Sequence, residues 1–296
     1  MAILIWSGLY HVARPAVAVG SPVLVAFLRY LVSAVILLIM LRYKTGLWWH
    51  KLDAMQWWLV FLLGALGICA YNLLFFSAEA LISGNLVAIL YAFTPCMATV
   101  LSSLVFKTRL NLGSKIGVVV ALLGSIGVVN YATPECQHYW CSNTLVHLGR
   151  GEMYGIGATV VFACYSVISR LAGQRKVSGI VMNAYAATIG GILLGIIAAF
   201  SSNFAVVAQF GWGFWLAFFY ITILSTIVAY LWYTEAILKL GVFKTVIFQN
   251  TIPLQTVLLG WLFLHETVSI QTLLCGIVVI AGVYITNIAL NFGKKN

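Results

Sequence analysis

Apolar residues run through this chain in long stretches, and polar or turn-forming positions interrupt them at regular intervals. Ten stretches can be drawn, roughly 1–19, 22–41, 57–79, 84–106, 113–132, 152–170, 178–200, 212–236, 243–264 and 270–291. Each is near the roughly 20 residues that a helix needs to cross the hydrocarbon core of a bilayer. A membrane β-barrel would show short segments of alternating polarity instead. The pattern predicts an all-α integral membrane protein with ten transmembrane helices. Pro22 opens the second of them at the favoured first-turn position. One polar connection, 133–150, is longer than the rest.

Composition agrees. Of 296 residues 63% are hydrophobic and 7% charged, and the mean hydropathy is +1.05. A soluble domain carries about 25% charged residues, so this chain has too few to cover a water-facing globule. Soluble enzymes, fibres and disordered chains are excluded together. The net charge is +10, which on a soluble protein would suggest nucleic acid. No basic run here exceeds Arg175–Lys176 or Lys294–Lys295, and no nucleic-acid partner is expected. The basic residues gather instead in alternate loops: Arg42, Lys44 and Lys51; Lys107, Arg109 and Lys115; Arg170, Arg175 and Lys176; Lys239 and Lys244; and the tail. The opposite loops hold only Arg150. That asymmetry predicts both termini in the cytoplasm, for a protein of a bacterial inner membrane. Trp48, Trp49, Trp57, Trp58, Trp212 and Trp215 lie near span ends, where an interfacial belt belongs. The start, MAILIWSGLYHVARPAVAV, has no basic leader and runs into spanning sequence, so no cleavable signal peptide is expected.

The chain also repeats itself. Ala78-Glu79-Ala80-Leu81-Ile82-Ser83 to Pro95 aligns without a gap on Ala236-Ile237-Leu238-Lys239-Leu240-Gly241 to Pro253. Each stretch continues through an apolar run, a short polar turn (FKTRLN, then LHETVS) and a further apolar helix with Gly124 or Gly282. Two five-helix halves follow, 1–132 and 151–296, joined by the extracytoplasmic loop 133–150. Five is odd, so the second half would enter the membrane upside down relative to the first, as in many secondary transporters.

With WSGLYHVARPAV leading to SPVLVAFLRYLVSAV, and LFLHETVSIQTLLCGIVVIAGV near the end, the chain resembles the EamA family of the drug/metabolite transporter superfamily. The resemblance covers essentially the whole chain. Its motifs are diffuse, so it implies the fold far more strongly than the substrate. What it implies is a carrier of small metabolites, among which are exporters and importers of amino acids and other metabolites. Thr108 stands where the family usually has Glu after the fourth helix, while Glu266 keeps that residue in the second half. The first helix is short ahead of Trp6, and the 133–150 loop is longer and richer in cysteine than the usual link.

Pro95 and Pro253 fall at matching points of the fourth and ninth spans. Proline removes a backbone bond and kinks a helix, and matched interruptions in two halves point to a central site. Their neighbours are polar or aromatic: Tyr91 and Thr94 in one, Gln249, Asn250 and Thr251 in the other. The same alignment sets Tyr91 opposite Gln249 and Asn72 opposite Tyr230. A substrate cavity lined by Asn72, Tyr91, Tyr230, Gln249 and Asn250 is the central expectation, against a role for these side chains as interhelical glue. Arg14, inside the first span beside Pro15, is the candidate for an anionic substrate group, with Tyr10 beside it; snorkelling to the surface is the alternative. Arg29 reads foremost as a structural contact, to backbone carbonyls or to an acid such as Glu79. Glu79 shares a helical face with Asn72 and Phe76 and is one candidate for proton coupling; His11, one turn from Arg14, is the other. Glu235 reads as a surface pair with Lys239.

Cys69, Cys96, Cys164 and Cys275 lie within spans and read as small packers. Cys136 and Cys141 share the extracytoplasmic loop and are candidates for a disulfide. His138 and His147 lie there too, but the spacing is no metal pattern, and no metal or cofactor is expected. The chain lacks a GxxxxGK[ST] phosphate loop, HExxH and GxSxG. A carrier of a small polar metabolite working by alternating access follows, with an amino acid or amino-acid-like substrate first and a nucleotide-derived metabolite second. Either a proton or a counter-substrate would drive it. An integral-membrane enzyme on lipid-linked substrates is the reading from another class, and it would need clustered acids or histidines at a membrane surface.

Overall fold

The computed structural model describes residues 1–296 except 82–86, 88, 89, 92, 108–110, 133–148, 265–267 and 293–296, and within the first helix the side chains of residues 10 and 13–19. Backbone amides in hydrocarbon have no water to bond, so spanning segments close their hydrogen bonds internally as helices. The described residues form helices and no strand. In chain order these are α1 (Ala2–Val19), α2 (Pro22–Thr45), α3 (Ala54–Leu81), α4 (Thr94–Phe106), α5 (Leu112–Ala132), α6 (Arg150–Gln174), α7 (Gly179–Ser201), α8 (Trp212–Leu240), α9 (Val242–Phe263) and α10 (Ile270–Phe292). A short 3-10 turn, Phe204–Gln209, links α7 to α8.

Local chemistry fixes the ends. The Ser21 hydroxyl caps α2 by accepting the Leu24 N–H at 3.2 Å, and Gly46 closes it in the left-handed region with φ 77°. Asp53 and Gln56 cap α3 reciprocally: the Gln56 N–H donates to Asp53 Oδ1 at 2.7 Å and the Asp53 N–H to Gln56 Oε1 at 2.9 Å.

Ten spans were the expectation; by length and apolarity the described residues give six, namely α2, α3, α6, α7, α8 and α9. Thr94–Phe106, Leu112–Val128 and Ile270–Thr286 are apolar but shorter. In the first of these the helix begins at Thr94, with proline in its first turn, and much of the predicted 84–106 run ahead of it lies outside the described residues.

The packing is reciprocal. α2 lies along α7 and α5 along α10, while α1 packs on α8 and α9 as α6 packs on α3 and α4. Small residues set the closest approach: a Cβ on Gly282 would stand 2.3 Å from the Ala121 backbone nitrogen. The main apolar core runs through α1, α2, α3, α6, α7 and α8, and a smaller one joins α5, α9 and α10.

Candidate functional site

Two of the long helices are not α-helical throughout. α3 widens to a π-helix over Ala65–Ala70, and α8 does so over Tyr220–Val228. Carried back along the repeat, the two stretches fall at matching positions. A π stretch shifts each amide to a more distant carbonyl, redirects the side chains beyond it, and is frequent at functional sites. Asn72 follows one stretch directly and Tyr230 the other.

These breaks hold three side chains around one cavity. Asn72 Nδ2 donates to the Ile68 carbonyl at 2.6 Å. Arg29 Nε donates to Thr226 Oγ1 at 2.5 Å, and that hydroxyl donates in turn to Ile221 O at 2.8 Å. Trp6 Nε1 donates to Ser225 O at 3.0 Å. Ile68 lies in the first π stretch, and Ile221, Ser225 and Thr226 lie in the second. The cavity they surround is lined by Trp6, Leu9, Arg29, Tyr71, Asn72, Phe75, Tyr91, Phe162, Tyr230 and Ile252. Its rings interlock: Trp6 lies 5.4 Å from Tyr230 and 5.8 Å from Phe162, and Tyr71 lies 5.3 Å from Phe162, all between ring centroids.

Only about 30 Å³ remains for the centre of a water molecule, enough for one or two waters at roughly 10–15 Å³ each. The site is closed around nothing larger. Within it Arg29, 3% exposed, is a buried cation whose Nε is held by the Thr226 hydroxyl. A guanidinium inside a membrane is costly, and such residues face a cavity or a partner. Asn72 Oδ1 is buried without a hydrogen-bond partner. The lining therefore presents one positive charge, one open acceptor and an aromatic wall.

Of the residues chosen from sequence, the structure brings Asn72, Tyr91 and Tyr230 together. Gln249 and Asn250 are buried but do not line this cavity, and all four of their side-chain polar atoms lack a partner. They sit in a 3-10 turn of α9, Ile247–Thr251, while the Asn250 carbonyl accepts from Ser125 of α5 at 2.8 Å. His11 Nε2 donates to the Thr256 carbonyl at 2.9 Å, tying α1 to α9. Glu79 is half-buried in the last turn of α3 and is not in the lining. The side chains of Tyr10 and Arg14 lie outside the described residues, as do Cys136 and Cys141. Arg29, which sequence reading took foremost as a structural contact, stands in the cavity lining. Glu235 does pair with Lys239, at 3.0 Å.

A family model described as the EamA-like transporter family matches residues 1–130 and again 149–288. The chain is 22% identical over 97% of its length to the uncharacterized transporter YyaM of Bacillus subtilis, covering 91% of that protein. It is 26% identical to an uncharacterized transporter of Archaeoglobus fulgidus, covering 97% of this chain and 94% of that one. A solved structure matches with a TM-score of 0.77 over 98% of this chain and 96% of its own at 18% identity, a likeness of fold. Two matches of one family model along a chain of apolar helices with a closed polar centre fit a duplicated carrier. The chain belongs to the EamA-like transporter family of the drug/metabolite transporter superfamily and is an integral membrane transporter of small molecules, not an enzyme.

Proposed function

We propose that this protein is a secondary carrier that moves an amino acid or amino-acid-like metabolite by alternating access. The observation that carries the proposal is the pairing, in one closed cavity, of the Arg29 cation with the unpartnered acceptor Asn72 Oδ1. A carboxylate would meet the guanidinium, whose planar fork suits it, and an ammonium would donate to Asn72. Tyr91 and Tyr230 would contact the body of the molecule, and Trp6 and Phe162 would wall it in. Tyr10 and Arg14 are kept as substrate contacts nearer the surface. Gln249 and Asn250, each buried with open polar atoms, would join the lining when α9 moves. Glu79 is the first candidate for proton coupling; His11, already donating to Thr256, is the second, and exchange against a counter-substrate would need neither.

The ten apolar runs would then form two inverted five-helix repeats, 1–132 and 151–296, with both termini in the cytoplasm of a bacterial cell. The reciprocal packing of α1 on α8 and α9 and of α6 on α3 and α4 supports that arrangement. The aromatic wall favours one second reading, a nucleotide-derived metabolite whose base would stack on it.

A thermal-shift screen of the purified protein against amino acids, nucleosides and nucleotides tests the proposal, because a ligand bound only by the folded state raises apparent stability. Amino acids should shift the wild type and fail to shift Arg29→Gln. Selective shifts by nucleotides would replace the first reading with the second. Shifts undiminished in Arg29→Gln would remove the residue from the site.

A further inference from the structure

A second, larger hollow lies one helical turn away from the closed cavity along the same three helices. It holds about 410 Å³ and is bounded by Met1–Leu4 of α1, by Trp232, Tyr233, Ala236 and Leu240 of α8, and by Lys244, Thr245, Phe248, Thr251 and Gln255 of α9. That volume lies in the range of small-molecule sites, roughly 300–1,000 Å³. Its floor is polar. The Thr245 hydroxyl donates to Gly241 O at 2.9 Å, and Gln255 Nε2 donates to Thr251 Oγ1 at 2.9 Å.

What separates the hollow from the cavity is a pair of rings. Trp6 lines the cavity, Tyr233 lines the hollow, and their centroids are 5.0 Å apart. Each ring is held by a single polar contact of its own: Trp6 Nε1 to Ser225 O at 3.0 Å, and the Tyr233 hydroxyl to Ser166 Oγ at 2.9 Å. Ser225 lies in the π stretch of α8, so a change in that stretch would loosen the indole directly.

We propose that this hollow is the water-filled vestibule through which the carried molecule reaches the cavity, and that Trp6 and Tyr233 form the barrier between them. The proposal rests on the carrier reading for its cargo, but its test needs no substrate. Thr245, Thr251, Gln255 and Lys244 give an otherwise mostly apolar lining one polar strip along α9, which a polar solute could follow. On the other side of the cavity the described residues of α6 pack closely on α3 and on Leu90: Thr159 Oγ1 donates to Leu90 O at 3.1 Å, and Gly155 admits the Leu90 side chain.

The experiment labels the full chain in sealed vesicles with a charged, membrane-impermeant methanethiosulfonate and reads each modified position by peptide mass spectrometry. Ala236→Cys places the probe in the vestibule, and Asn72→Cys places it in the cavity. The reagent should modify Ala236→Cys from the face that carries the basic loops and leave Asn72→Cys largely unmodified. Adding Trp6→Ala should raise the rate at Asn72→Cys about tenfold from that same face, the scale of losing aromatic contacts of this kind. Tyr233→Leu should act in the same direction, and it serves where Trp6→Ala fails to give monodisperse protein. An unreactive Ala236→Cys would mean that lipid fills the hollow. An Asn72→Cys rate unmoved by either ring substitution would mean that the rings are no barrier. Either result overturns the proposal and leaves the ligand screen of the cavity as an independent test.

Discussion

The two flanks of the cavity are built from equivalent helices, and their described residues pack differently. On one, α6 meets α3 and α4; on the other, α1 meets α8 and α9. Among the described residues the first flank packs closely. Gly155 and Gly157 of α6 carry no side chains, so Leu90 and Leu74 come close: a Cβ at either glycine would stand 2.6 Å and 3.3 Å from them. The second flank carries Ile3 and Leu4 on α1 beside the hollow of about 410 Å³, while further along the same helix Gly8 meets Tyr220 of α8 closely. A duplicated fold therefore does not enforce equal flanks, because side-chain volume sets the packing of each.

The largest expected effect comes from attacking the frame that both flanks share. α5 and α10 touch backbone to backbone, and a side chain at Gly282 would meet the Ala121 nitrogen at 2.3 Å and its Cα at 2.7 Å. Backbone cannot swing aside as a methyl can. Gly282→Val should cost about 3 kcal/mol or more and yield little monodisperse protein on size-exclusion chromatography. Recovery of stable protein would show that the flanks do not depend on this contact.

A smaller effect is expected where the clash involves a movable group. Gly155→Val would press on Leu90 Cδ1, the end of a flexible side chain. Overpacking of this kind costs about 1–3 kcal/mol, and the lower part of that range fits a yielding leucine. The apparent melting temperature should fall. The close-packed flank should also part, so that a cysteine at Leu74 becomes reactive from the face opposite the vestibule. Lower stability without that new reactivity would separate the packing from the resting state.

Much of this comparison could be read from residue order alone. The repeat placed Asn72 against Tyr230 and Tyr91 near a proline, and those three side chains line one cavity. The π stretches could not be read: ALGICA and YITILSTIV hold no proline, and nothing in their apolar pattern marks a wider turn. Without them the carbonyls and hydroxyls that position Arg29, Trp6 and Asn72 are invisible, and Arg29 reads as a structural charge. Gln249 and Asn250 were set in the cavity by the repeat alignment and their place beside Pro253. The tightening to 3.0 residues per turn over Ile247–Thr251 turns them away.

The smallest expected effect is also the sharpest discriminator between the flanks. Each is stitched by one threonine hydroxyl that crosses helices: Thr159 of α6 donates to Leu90 O at 3.1 Å, and Thr256 of α9 donates to Ser7 O at 3.2 Å. Valine keeps the shape and removes the donor. Leu90 O still accepts the Phe93 N–H at 3.2 Å, so this carbonyl is not left bare on the close-packed side. Such bonds in membranes average about 0.6 kcal/mol, so Thr159→Val and Thr256→Val should each change apparent stability only slightly. Their effects on access should nevertheless oppose each other. Thr159→Val favours opening of the close-packed flank and should lower the thiol reactivity of Ala236→Cys by up to about threefold, the population shift that such a bond can supply. Thr256→Val loosens the vestibule side and should raise it. Two substitutions of equal cost and opposite sign would show that the flanks compete for one equilibrium; changes of the same sign would show that each opens on its own.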